Sequence, residues 1–405
     1  MSVHKQGIKN IERLSEVFSR PIPSSILILG YLIPFTIAYL VYVPNTRLIR
    51  IALYPFGLFV MVWVTMKAPG QPVAAVEVVM EMLLINLGSS TRYAFASSPP
   101  THHPLPRQPR WASLRQHTAF KAVHNLINEY RHINEPPNPT LRITRSYAQS
   151  MRHHLLYMQW HLFLMDLATY AAFRMAPETI GSPNLVGGDV RQVCRDLAMT
   201  TGLPELLWWM FWTMISAMVN YQGMATIWHI LSAIGIGSGL YLDEEWPKLM
   251  HKPWLSTSLN EFWGKRYHQI LRDFYLLLAT PFSYLPRPIH VISVFLISSL
   301  LHMTIYYPLR QQFIVGPYLS FFVGCGVGCV LERQFYHMTG KRVDGRWGML
   351  WTWTFMLVVS VPIVEYEWSS GWTGAMRGEL SRNKQFSMVE WLVWSLGFGP
   401  KPTAK

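Results

Sequence analysis

Residues Val291–Pro308 read VISVFLISSLLHMTIYYP, a run without a single charged side chain. A helix crossing a membrane needs about 20 mostly apolar residues, so this stretch reads as a span. Its hydroxyls are weak exceptions; its imidazole, His302, is a strong one. A polar ring in such a run must find a hydrogen-bond partner or line a wet cavity, and an ionisable group inside a span is a functional candidate by default.

Runs of the same kind recur on both sides of it. Residues 25–43, 48–66, 154–173, 203–221, 223–242, 313–332 and 348–366 all read as spans, and 72–88, 270–285 and 388–396 read as weaker ones. The whole composition agrees. Of 405 residues, 50% are hydrophobic and only 14% charged, against about 25% charged in an average soluble domain. The expectation is an all-α, multi-pass integral membrane protein of eight to ten transmembrane helices. It forms one domain over 1–405, with an amphipathic surface segment at 1–24, an extramembrane insertion at 89–153 and a catalytic region at 258–302. The N-terminal stretch lacks the pattern of a signal peptide, because its first apolar run is long enough to span and stay. A helix over 111–132, between proline-rich loops at 97–110 and 135–140, is expected to lie on the surface.

Net charge is +13. The basic residues cluster between apolar runs, where they bias orientation and attract anionic headgroups. No nucleic-acid-binding motif accompanies them, so membrane lipids and no nucleic acid are the expected partners. Cys194, Cys325 and Cys329 make neither a disulfide framework nor a metal site. Gly324 with Gly328, and Gly235 with Gly239, have the four-residue spacing that lets helices pack closely.

His161, His229, Asp166, Glu77 and Glu81 also fall inside apolar runs. His161 and Asp166 share the His-x-x-x-x-Asp spacing of soluble-faced glycerolipid acyltransferases. They do not share a helix face and the companion motifs are missing, so His161 reads as a packing or pathway residue. A proton-coupled transporter, with His302, His161, Glu77 and Glu81 as a relay, is the rival class. No pair of interrupted helices recurs in the two halves to support it.

Residues 258–272 read SLNEFWGKRYHQILR. Trp263 and Tyr267 beside Lys265, Arg266 and Arg272 would suit an interfacial belt. A belt has no need of Asn260, Glu261 and His268. This block resembles the signature of the wax-synthase-like branch of the membrane-bound O-acyltransferase superfamily, Ser-Leu-x-Glu-Phe-Trp-Gly-Arg-Arg-Trp-His-Gln. Lys265 and Tyr267 are mild departures from it. His302, 34 residues beyond His268, resembles that family's intramembrane histidine, although Met303 stands where many relatives carry an acid.

The resemblance implies a membrane fold with an internal tunnel and transfer of an acyl group from acyl-CoA to a hydroxyl, in the endoplasmic reticulum. A thioester is already activated, so the chemistry asks for a base and an oxyanion donor and no covalent nucleophile. His302 is the expected base, with His268 or Asn260 steadying the carbonyl. Glu261, Trp263, Lys265, Arg266, Tyr267 and Arg272 are expected around the substrates. No metal or resident cofactor is expected; acetyl-CoA is the co-substrate. Length and loop composition look closest to fungal relatives that acetylate terpenoid or meroterpenoid alcohols. Long-chain wax-ester synthesis is the alternative within the family.

Overall fold

Val291–Pro308 lies inside one helix, Arg287–Arg310. Pro286 and Pro288 bracket its start, where a missing N–H leaves nothing unpaired. The Pro286 carbonyl takes the Ile289 and His290 amides at 2.8 and 3.1 Å. Twenty-four residues rise about 36 Å, enough for a bilayer core.

The computed structural model describes residues 24–67, 80, 82–100, 108–128, 145–175, 190–310, 314–369 and 387–397. Every regular element among them is helical. In chain order the α-helices of six or more residues are α1 (Ser24–Leu40), α2 (Arg47–Lys67), α3 (Ser90–Phe95), α4 (Thr118–Asn128), α5 (Tyr147–Met175), α6 (Val190–Thr201) and α7 (Glu205–Gly237). Then come α8 (Arg272–Ala279), α9 (Arg287–Arg310), α10 (Val315–Thr339), α11 (Gly345–Val359), α12 (Val361–Ser369) and α13 (Met388–Ser395). The fold is the all-α membrane class read from the sequence. Glu77, Glu81, residues 1–23 and the loop 135–140 lie outside the described residues.

Three described helical stretches are long and apolar enough to cross a membrane: Arg47–Thr65, Arg287–Ile305 and Val315–Thr339. The pair α11–α12, bent by 45°, makes a fourth if it is one span. That number covers the described residues alone, and some runs read from the sequence take other forms. Residues 203–221 and 223–242 were separate spans in the sequence reading; Asn220–Gly223 contains no breaker, and α7 runs straight through it. Residues 270–285 hold only the short α8 and a turn at Thr280–Phe282 with Pro281 inside it. Residues 388–396 give eight helical residues, too few to span.

The chain divides into two compact units. One comprises Leu14–Ser150 and Ile234–Trp353; the other comprises Met1–Arg13, Met151–Ala233 and Thr354–Lys405.

In the first unit, Val60, Met61, Val64, Met82, Leu83, Phe274, Tyr275 and Leu301 form one buried cluster, which fixes the face of α9 next to His302. Arg50, buried on α2, donates to the carbonyls of Tyr93 and Ala96 and so closes the open C-terminal end of α3. The expected surface helix is shorter and docked: Ala122, His124, Asn125 and Leu126 of α4 are buried, and Asn125 donates to the Tyr42 hydroxyl at 2.7 Å. Between α9 and α10, a Cβ on Gly326 would lie 3.0 Å from the Phe295 ring, so this glycine permits the close approach. Gly239 is no part of a packing stripe; it follows α7 with φ +74° and ends it, as glycine does at a left-handed C-cap.

In the second unit, the buried Trp212 of α7 meets Trp368 of α12 at 5.2 Å between ring centres. The Trp368 indole donates to Ser216 at 2.5 Å. Arg191 of α6 reaches Glu365 of α12 at 3.2 Å.

Candidate functional site

The block 258–272 folds as a chain of short turns on the first unit. Ser258 caps Leu259–Glu261 by accepting the Glu261 amide, as a serine at a helix start does. Phe262–Arg266 then widens into a π-helical turn, a form frequent at functional sites. At His268 the backbone turns to φ +23°, a region that costs a non-glycine residue energy and persists only where surroundings enforce it.

This geometry brings His268 within electrostatic reach of His302. Both rings are enclosed by surrounding atoms yet keep some accessible surface, as side chains lining a crevice do. Burial, opposed by His268's own carbonyl and reinforced by the charge His302 would carry, lowers the His268 pKa to about 4. His268 is therefore a neutral imidazole at pH 7. His302 donates from Nδ1 to the Ser298 carbonyl at 2.7 Å and packs 4.3 Å from the Phe322 ring on α10. A carbonyl only accepts, so Nδ1 holds the proton and Nε2 holds the lone pair. Met303, where relatives carry an acid, is buried, and the Ser298 carbonyl is the group that orients the ring.

The other predicted site residues separate into two sets. Asn260 directs its amide nitrogen at the Cys329 carbonyl, 2.9 Å, and at Glu332, 2.8 Å, so its N–H groups face the protein. Glu261 accepts from the Thr257 amide and hydroxyl at 2.8 and 3.0 Å. Arg266 holds Glu261 at 2.7 Å and also donates to the His251 and Lys252 carbonyls. Burial acts to raise the Glu261 pKa, but the Thr257 amide, Arg266 and the Thr257 hydroxyl outweigh it and hold the carboxyl below its ordinary range. These three residues fasten the loop.

Trp263 wedges between α9 and α10, with Phe295 at 5.7 Å and Phe321 at 6.3 Å. Tyr267 has one face stacked on Phe262 at 5.1 Å and its edge near His268 at 4.3 Å. Lys265 is exposed. Arg272 is exposed beside Asp273, 3.6 Å away.

Helix α11 lies against the stretch that leads into this block. A Cβ on Gly348 would meet the Thr257 carbonyl at 2.2 Å, and the Trp353 indole donates to the Trp254 carbonyl. Exposed Lys341, Arg342 and Arg346 are on the same unit as Lys265.

Two groups escaped the sequence reading. Glu332 accepts four hydrogen bonds from the signature block and α11; its only signal was a lone acid closing an apolar run. On the second unit, His154 and His229 meet through their Nδ1 atoms at 2.8 Å. His161 stacks on His229 at 5.4 Å and bonds Gln222 at 2.5 Å. Asp166 instead accepts from Ser387 and the Val389 amide at 3.0 and 2.9 Å, so His161 and Asp166 form no dyad. Among the described residues, no group of three or more His, Cys, Asp or Glu is arranged to hold a metal ion.

Residues 246–323 match the membrane bound O-acyl transferase family. The signature block and His302 both lie inside that segment, so the resemblance read from them holds. The chain is 28% identical to Acetyltransferase atnC of Arthrinium sp over 170 residues, covering 37% of this chain and 38% of that protein. It is 24% identical to Acetyltransferase spyB of Aspergillus fumigatus over 151 residues, covering 35% of this chain and 24% of that protein. The chain thus spans well under half the length of these relatives. No solved structure matches it.

Proposed function

We propose, from the family match over residues 246–323, that this protein is a membrane O-acyltransferase with His302 as its general base. The observation that carries the reading is the fixed tautomer of His302. With Nδ1 committed to the Ser298 carbonyl, Nε2 is the nitrogen left to act on a substrate. In the proposed step, Nε2 takes the proton of the acceptor hydroxyl while the oxygen attacks the thioester carbonyl carbon. A backbone amide near His268 donates to the developing oxyanion. The carbon–sulfur bond then breaks, and the coenzyme thiolate recovers the proton from Nε2.

Acetyl-CoA is the donor in this reading, because both relatives above are named acetyltransferases, and this favours acetyl over long-chain transfer. The acceptor is a hydrophobic hydroxylated compound of the terpenoid or meroterpenoid kind, reaching His302 through a tunnel. Exposed Lys265, Lys341, Arg342 and Arg346 meet the coenzyme phosphates; Arg266, held by Glu261, does not. The location is the endoplasmic reticulum membrane.

The test is to incubate membranes carrying the protein with labelled acetyl-CoA or palmitoyl-CoA and a panel of hydroxylated terpenoids. Label from acetyl-CoA in an ester of one acceptor is the expected result. Transfer from palmitoyl-CoA alone would replace acetyl with long-chain transfer, and no transfer from either donor to any acceptor would count against the reading.

A further inference from the structure

Four donors converge on Glu332, a buried residue of α10. Its Oε1 takes the Leu259 amide at 2.6 Å and the Trp351 indole at 3.0 Å. Its Oε2 takes the Asn260 amide at 3.0 Å and the Asn260 side-chain nitrogen at 2.8 Å. Three of these bonds come from the turn that opens the signature block, and the fourth comes from α11. All four partners only donate, so a group that itself donates does not fit here.

We propose that Glu332 is a positioning residue, fixing the 259–268 turn so that His268 stands beside His302. The regular structure of the turn is too short to set its own position. Leu259–Glu261 is a single helical turn, too short to persist by its own hydrogen bonds, and the next five residues are a π-turn. The strained backbone at His268 follows directly, and strain of that kind needs a rigid frame behind it. Glu332 supplies that frame from a long helix, 73 residues away in sequence. Arg266 and Glu261 close the far side of the same loop, so the turn is held at both ends. A small displacement there moves His268 relative to the reacting atoms, and a misplacement of about 1 Å can cost about 100-fold in rate.

The consequence for catalysis rests on the acyltransferase reading; the consequence for the turn does not. Three variants of the full-length protein in detergent separate the possibilities: Glu332→Gln, Asn260→Ala and Trp351→Phe. Glu332→Gln turns an amide NH2 toward donors, Asn260→Ala removes the turn-side bonds to Glu332 and to the Cys329 carbonyl, and Trp351→Phe removes the Glu332 bond from α11 while leaving the turn-side bonds in place. Glu332→Gln and Asn260→Ala should speed amide hydrogen exchange in the 258–268 peptide by about 10-fold or more, as loss of a buried hydrogen bond does. They should lower kcat by a larger factor than they raise the KM for acetyl-CoA. Trp351→Phe should lower the thermal midpoint and leave both the exchange of that peptide and kcat near wild type. Equal loss of kcat in Asn260→Ala and Trp351→Phe at matched stability would overturn the proposal. So would a folded Glu332→Gln protein with wild-type exchange and kcat. If Glu332→Gln does not fold, the other pair decides. If the wild type transfers no acyl group, the exchange result still decides the positioning claim, and it is the functional reading that has failed.

Discussion

His302 donates from Nδ1 to the carbonyl of Ser298, one helical turn earlier on α9, at 2.7 Å. The bond fixes which nitrogen is free. An imidazole that spins, or exchanges tautomers, offers its lone pair to the substrate for only part of the time. Here the backbone of its own helix sets the tautomer, and the Phe322 ring at 4.3 Å limits rotation.

Arg266 and Lys265 are neighbours with opposite assignments. Arg266→Gln breaks the contact with Glu261 and with two loop carbonyls, so it should lower the thermal midpoint and weaken turnover with donor and acceptor alike. Lys265→Gln should raise the apparent KM for acetyl-CoA, leave the acceptor KM unchanged, and act less at high salt, where exposed charges are screened. Steady-state kinetics with each substrate varied in turn checks both. A rise in donor KM for Arg266→Gln alone would return the phosphate role to Arg266.

The depressed His268 makes a prediction about acid. Its folded pKa is about 4, while the unfolded chain has the ordinary value near 6.5. Between those values the unfolded state binds a proton that the folded state does not, so stability falls as pH drops from about 6.5 to about 4. His251, also lowered, chiefly by burial and then by Lys248 and Arg266, acts in the same direction and is common to both proteins compared. Thermal midpoints at several pH values should therefore fall less steeply on the acid side for His268→Asn than for the wild type. Parallel curves would show that His268 titrates near its ordinary value.

Two glycines of the site should respond differently to alanine. Gly348→Ala drives a Cβ into the Thr257 carbonyl, and backbone has no rotamer with which to yield, so a destabilisation of about 1–3 kcal/mol is expected. Around Gly264 nothing lies within 4 Å of an added Cβ, so Gly264→Ala should fold as well as the wild type. Thermal melts of the two purified variants check this. A larger side chain such as Gly264→Leu should also fold, and a loss of acetyl transfer in it would locate substrate over that space.

The sequence made the span around His302 and the importance of 258–272 legible, because both are local: an uncharged run with one imidazole, and a dense block of unlike polar groups. The roles inside the block were less legible. Arg266 read as a phosphate ligand since its partner Glu261 sits five residues back, a spacing that faces it only because the turn is π-helical. Asn260 read as a carbonyl donor since its true acceptors, Glu332 and the Cys329 carbonyl, are about 70 residues further on and appear only when α10 packs. One detail of the span reading differs for a related reason. Polar residues inside α7 look like a break in a hydropathy pattern, but without proline or a run of glycine the helix has no cause to stop.

The central claim is that His302 is the base, and His302→Asn tests it most directly. Asparagine reaches as far as Nδ1 and can keep the bond to Ser298, but it has no group at Nε2. The measurement is the rate of acetyl transfer from labelled acetyl-CoA per folded molecule, with folding checked by monodispersity and thermal midpoint. The account predicts a fall in kcat of about 100- to 10,000-fold with a thermal midpoint close to wild type. A folded variant that keeps more than about a tenth of the wild-type rate would contradict it, since loss of a general base costs more than that.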